Sequence, residues 1–184
     1  DVGRLAEELG LDTYLGAIRH VQALPYGRTS TSSYKLVLVE GRGTCSSKHA
    51  LLAALAQENG LAVELLLGIY EMTESNTPGV GEQLAKHNLT SIPEAHCYLR
   101  TERGIIDVTM PEGSPTGAER HFFHEEAIRP EVVGVYKTTV HRRVLAEWLR
   151  QCGQADLGLD AAWTIREACI SALSNPSSST PTDV

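Results

Sequence analysis

The chain has no basic stripe, no membrane-length apolar run and no paired-cysteine motif, and each absence removes a class of function. Its 16 Lys and Arg stand against 23 Asp and Glu, a formal net charge of −7. Such a surface repels phosphate backbones and anionic headgroups, so neither nucleic acid nor membrane is an expected partner. The longest apolar stretch, Leu61 to Tyr70, is interrupted by Glu64 and falls well short of the ~20 residues that span a bilayer. No segment reads as a signal peptide. The four cysteines, Cys45, Cys97, Cys152 and Cys169, form no C-x-x-C pair and are too sparse for a disulfide scaffold. Independent, reduced thiols and a cytoplasmic location are therefore expected. No internal repeat is present.

What remains suits one domain over residues 1–173. The chain is 184 residues long with 42% hydrophobic content, enough to bury a core. Residues 174–184 form a Ser/Pro/Thr tail with too little apolar content to pack, expected to be flexible. Residues 4–24 carry Leu5, Leu9, Leu15, Ile18, Val21 and Leu24 at helical spacing, with Gly10 and Asp12 placed to split the helix. Tyr34 to Glu40 is β-rich and predicts a short strand or a helix-to-loop run leading into the glycines. Ser46 to Asn59 is strongly helical, with Gly60 as its stop. Leu61 to Tyr70 predicts a strand, Glu71 to Asn88 a long loop, and His96–Thr101 with Gly104–Met110 a hairpin. Residues 118–140 give no decisive pattern, and His141–Cys152 and Asp160–Leu173 predict terminal helices, the second N-capped by Asp160.

Chemistry concentrates at Gly41-Arg42-Gly43-Thr44-Cys45-Ser46-Ser47-Lys48-His49. A cysteine here opens a helix, where free backbone N–H groups and the helix dipole favour a thiolate. The two glycines permit a tight turn and leave room beside the sulfur. Downstream, Pro93-Glu94-Ala95-His96-Cys97-Tyr98-Leu99 leads through a turn to Gly104-Ile105-Ile106-Asp107-Val108-Thr109. Side chains alternate along a strand, so His96 and Asp107 share a face only if the turn holds an even number of residues. A two-residue turn at Glu102-Arg103 sets Asp107 opposite Tyr98 and diagonal to His96, within side-chain reach. A three-residue turn separates them.

These three motifs, in this order, resemble the transglutaminase-like superfamily, whose papain-related fold also serves peptide N-glycanases and many bacterial cysteine hydrolases. The resemblance covers about residues 34–110. It implies an α+β fold in which a central helix carrying the cysteine packs on an antiparallel sheet, with extra N- and C-terminal helices here. It further implies a catalytic triad of Cys45, His96 and Asp107 and a peptide or small amide-bearing substrate. The thiol chemistry calls for no cofactor and no metal. Tyr98 stands where many members carry an aromatic residue after the histidine, and Lys48-His49 departs from the generic pattern. Tyr26, His49, Glu94 and Tyr98 are the candidate substrate-binding residues. The Cys45 N–H and a side chain near Tyr26 or Tyr34 are candidate oxyanion donors.

Two other functions stay open on the sequence. The fold also serves as a binding module without turnover. Cys45, His49, His96 and Asp107 are also zinc-ligand types, as are His121 and His124, although the order of the elements favours a nucleophile triad. Neither the oligomeric state nor the choice between water and an amine as acyl acceptor is encoded in any motif.

Overall fold

In the computed structural model, residues 2–114 and 117–174 are described; the expected tail lies outside them apart from Ser174. Gly10, at φ +69°, ends the first helix, α1 (Val2–Glu8). Thr13 then caps α2 (Tyr14–Ala23) by accepting the Gly16 N–H at 3.0 Å. The split expected around Gly10 and Asp12 is therefore real.

Of the two readings of the β-rich run before the cysteine, the structure takes the helix-to-loop one: α3 spans Leu36–Glu40. Its apolar residues suggested sheet burial, yet only Val37 is buried and Val39 faces solvent. Gly41 closes it in the left-handed conformation at φ +63°, with its N–H on the Val37 carbonyl.

The cysteine helix, α4 (Cys45–Glu58), is the centre of the molecule. Cys45 and every residue from Ser47 to Ala56 are buried, because β2, β1, α1, α2 and α3 all pack against it. The sheet consists of β1 (Glu64–Met72), β2 (Ile92–Thr101), β3 (Gly104–Ile106) and β4 (Phe122–Ile128), antiparallel in the order β3-β2-β1-β4. The α+β class and the antiparallel sheet are as expected. The undecided segment 118–140 supplies β4, a short 3-10 turn at Pro130–Val132, and the start of α6 (Val135–Gln151), which begins six residues before the expected His141. The long 71–88 connection contains the short helix α5 (Gly81–Ala85). The last helix, α7 (Leu159–Ser174), has Asp160 in its first turn rather than at its cap. Among the described residues no helix is long and apolar enough to cross a membrane.

One sheet face is aromatic. Gly68 of β1 pairs with His96 of β2, and the space a side chain would fill holds the Phe122 ring of β4. That ring stacks on Tyr98 (centroids 5.0 Å apart) and on His96 (6.3 Å). A Cβ on residue 68 would sit 2.5 Å from Phe122 Cδ1. Gly68→Ala is therefore expected to cost about 1–3 kcal/mol, roughly 5 °C in Tm by thermal unfolding, because the ring is packed against Tyr98, His96 and Tyr70. An unchanged Tm would show that Phe122 can move aside freely.

Candidate active site

The cysteine is fixed by its own helix end. Thr44 caps α4 in a reciprocal box: its Oγ1 accepts the Ser47 N–H (3.5 Å) and its N–H donates to Ser47 Oγ (3.0 Å). Gly43 lies so close to Lys48, Ser47 and Val37 that any side chain there would collide. Its backbone pairs with the Pro25-Tyr26-Gly27 segment: Gly43 N–H donates to Pro25 O and Gly27 N–H to Gly43 O. Two turns far apart in the chain are thereby zipped together, and Tyr26 is set beside Cys45.

His96 and Asp107 meet because the hairpin turn has two residues. Thr101 pairs with Gly104 and Leu99 with Ile106, leaving Glu102-Arg103 as the turn and Asp107 as the next residue. His96 Nε2 donates to Asp107 Oδ2 at 2.7 Å. Asp107 also accepts the Thr109 N–H on Oδ1 (3.0 Å) and Arg120 Nη1 on Oδ2 (3.1 Å). With Nε2 on the carboxylate, Nδ1 is the imidazole nitrogen left for Cys45.

The charges follow from this packing. Burial favours the neutral thiol, but the Lys137 ammonium and the His96 hydrogen bond outweigh it and pull Cys45 down to about 5. Burial likewise opposes imidazolium, but the Asp107 carboxylate and Cys45 lift His96 to about 9. Asp107 is held far below the carboxylate range by the imidazolium, against its own burial. Between those limits the site rests as thiolate, imidazolium and carboxylate in series. The other buried cysteines do the opposite, burial pushing Cys97 up to about 12 and Cys169 to about 11.

The remaining expected residues divide. Tyr26 and Glu94 line the space around the sulfur. His49 and Tyr98 do not, which corrects their assignment to the substrate rim. His49 is fully buried; its Nδ1 donates to the Cys45 carbonyl (2.7 Å) and its Nε2 accepts the Val108 N–H (2.9 Å), ligation that fixes one neutral tautomer. Burial holds it down to about 4, so it stays neutral. It ties the cysteine turn to the strand end bearing Asp107. Lys48, also fully buried, donates to the carbonyls of Leu24, Val108 and Thr109 at 2.6–3.2 Å and joins the same elements. Tyr98 is buried under Phe122 with its hydroxyl on Glu125. Glu94 is buried too, both oxygens held by Arg166 of α7 at 2.5 Å.

Two charged groups at the site escaped the sequence. Arg120, in the undecided segment, clamps Asp107. Lys137 of α6 places its buried Nζ 3.5 Å from Cys45 Sγ and 2.7 Å from Ser46 Oγ. One signal did point to Lys137: it shares a helical stripe with Val140, His141, Leu145 and Trp148, all buried.

Cys45 lies where two cavities meet. One, of about 400 Å³, runs past Ser30, Ser46, Lys137 and Trp163. The other, of about 480 Å³, runs past His96, Asp107, Met72, Pro78 and Leu173. Tyr26, Cys45, Glu94 and Ile170 belong to both. Among the described residues no three His, Cys, Asp or Glu side chains gather as a metal site. Comparison of the chain with protein-family models, with curated proteins and with solved structures gives no match.

Proposed function

We propose that this chain is a cysteine-dependent acyl-transfer enzyme of the transglutaminase-like kind. The observation that carries this reading is Cys45 at the junction of two cavities, with the His96–Asp107 pair, 2.7 Å apart, lining the same space. Cys45 thiolate attacks the carbonyl carbon of an amide, ester or thioester. His96 delivers its proton to the leaving group, while Asp107 holds the imidazole tautomer and supports its charge. Space on both sides of the sulfur suits a bond with substantial groups on each side, as in a peptide or peptide-like amide. Water completes the cycle as a hydrolysis; an amine in its place makes the reaction a transfer.

The test is acylation by p-nitrophenyl acetate. A burst of nitrophenolate stoichiometric with protein is expected, with the acetyl group mapped to Cys45 and both absent from Cys45→Ala. Adding a primary amine then shows which acceptor takes the acyl group. A burst that survives in Cys45→Ala, or acetylation spread over surface nucleophiles alone, refutes the proposal.

A further inference from the structure

Lys137 takes no part in the chemistry just described, although its ammonium is in contact with the sulfur. It reaches in from the first turn of α6, its Nζ 3.5 Å from Cys45 Sγ and donating to Ser46 Oγ at 2.7 Å. Only 8% of the residue is exposed. An ammonium so enclosed needs a negative partner. The nearby carboxylate of Glu94 is already committed, both of its oxygens being taken by Arg166. In the resting site the partner is therefore the Cys45 thiolate.

Attack on a carbonyl removes that partner. The sulfur lone pair becomes the new Sγ–C bond, and the C=O π pair moves onto oxygen. That oxygen is two bonds from Sγ, so the negative charge leaves the sulfur and reappears within reach of the same ammonium. We infer that Lys137 Nζ, with the backbone N–H of Cys45 at the helix start, forms the oxyanion hole of this site and is a catalytic residue. The inference rests on the acyl-transfer reading and supplies the donor that reading lacks. On collapse the oxygen lone pair restores C=O, the bond to the leaving group breaks, and His96 gives that group its proton. In the second half, water adds to the thioester carbonyl with His96 taking its proton, and the oxyanion returns to Lys137 before the C–S bond breaks. Because the donor is charged and already in place, it needs no reorganisation as charge develops.

Two reactions of the same sulfur separate this role from simple support of the thiolate. Iodoacetamide alkylates by displacement at a saturated carbon and forms no oxyanion; p-nitrophenyl acetate acylates by way of one. Both rates are measured on Lys137→Met, each on the plateau above the variant's own thiol midpoint, so that changes in thiolate nucleophilicity cancel in their ratio. The ratio of acylation to alkylation is expected to fall about 10²–10³-fold. Lys137→Gln, which keeps a neutral donor, is expected to fall between that variant and wild type, and it replaces Lys137→Met should the latter fail to fold. Equal losses in both reactions would make Lys137 a thiolate partner only and overturn the inference. So would a selective acylation loss in Tyr26→Phe with none at Lys137, which would pass the role to the phenol lining both cavities. Failure of the acyl-transfer reading itself looks different: wild type would then alkylate at Cys45 without being acylated there, before any variant is made.

Discussion

His96→Ala is expected to slow amide turnover about 10²–10⁴-fold while slowing alkylation of Cys45 by iodoacetamide only about tenfold at pH 6. The two figures differ because the imidazolium does two jobs. Its first is to hold the thiolate. In wild type the alkylation midpoint is expected at about 5; without His96 it moves toward the ordinary ~8.5, which cuts the thiolate at pH 6 roughly 300-fold. A more basic thiolate is also a better nucleophile, by about 30-fold over that interval, so most of the loss is returned. The midpoint is thus a sharper readout than the rate. Its second job on the acyl-transfer reading, protonating the leaving amine, has no such compensation, and turnover is expected to carry the full loss. In wild type, turnover of an amide on the acyl-transfer reading needs sulfur deprotonated and imidazole protonated together. Its rate should rise through about 5 and fall through about 9. Alkylation needs the thiolate alone and should show the acid limb only. Lys137 from α6, Glu94 and Cys97 from β2, and Tyr26 also face this group, and Lys137 is why the midpoint in His96→Ala need not reach that of a free thiol. Cys97 and Cys169 should stay unlabelled at pH 6, being buried and pushed up by burial. An unshifted midpoint in His96→Ala would sink the ion-pair account.

How far the sequence speaks for this site follows from the range of each interaction. Thr44, Cys45 and Ser47 are set by a helix cap that closes within four residues, and the glycines before it declare a turn. The meeting of His96 and Asp107 depends only on strand parity and a two-residue turn, both local properties. Leu36–Glu40 reads two ways because β-branched residues fit a strand, while the helix is decided by Gly41 and by the burial of Val37. Lys48 and His49 look like the solvated first turn of a surface helix; they are buried because α4 is covered on every side, which only the assembled fold determines. Lys137 and Arg166 are harder still. Each sits on an apolar stripe and so announces a buried cation, but its partner is 92 or 72 residues away and local pattern cannot name it. A polar residue on a helix's apolar face is therefore the feature that most rewards a search for a distant opposite charge.

Arg166→Met tests that rule where the stability effect should be greatest. Arg166 donates through Nε and Nη2 to both oxygens of Glu94 at 2.5 Å and through Nη1 to Glu167 at 2.6 Å, with Arg166 7% and Glu94 4% exposed. Burial alone would push the Glu94 carboxyl up; the guanidinium overrides it and holds the group down to about 2. Methionine fills much of the same volume but leaves a carboxylate buried with His141 Nε2 4.0 Å away. That nitrogen already donates to the Pro93 carbonyl at 2.7 Å, and burial opposes a charge on the ring, so it is a poor substitute for the guanidinium. Removing one partner of a buried pair typically costs about 3–5 kcal/mol, about 10 °C in Tm for a chain of this size. The pH dependence has a definite sign. In wild type the pair contributes stability that is fully present above the ordinary carboxylate range and is lost progressively as pH falls from that range through about 2. In Arg166→Met the unpaired Glu94 titrates above its ordinary value, so protonation relieves the variant first and the Tm gap should narrow as pH is lowered from 7. Glu94→Gln combined with Arg166→Met removes both charges and should recover much of the loss, a non-additivity that identifies the pair rather than the side-chain volume as the cause. A variant as stable as wild type at pH 7, or a gap that widens in acid, would show that this ion pair does not hold α7 to the sheet beside Cys45.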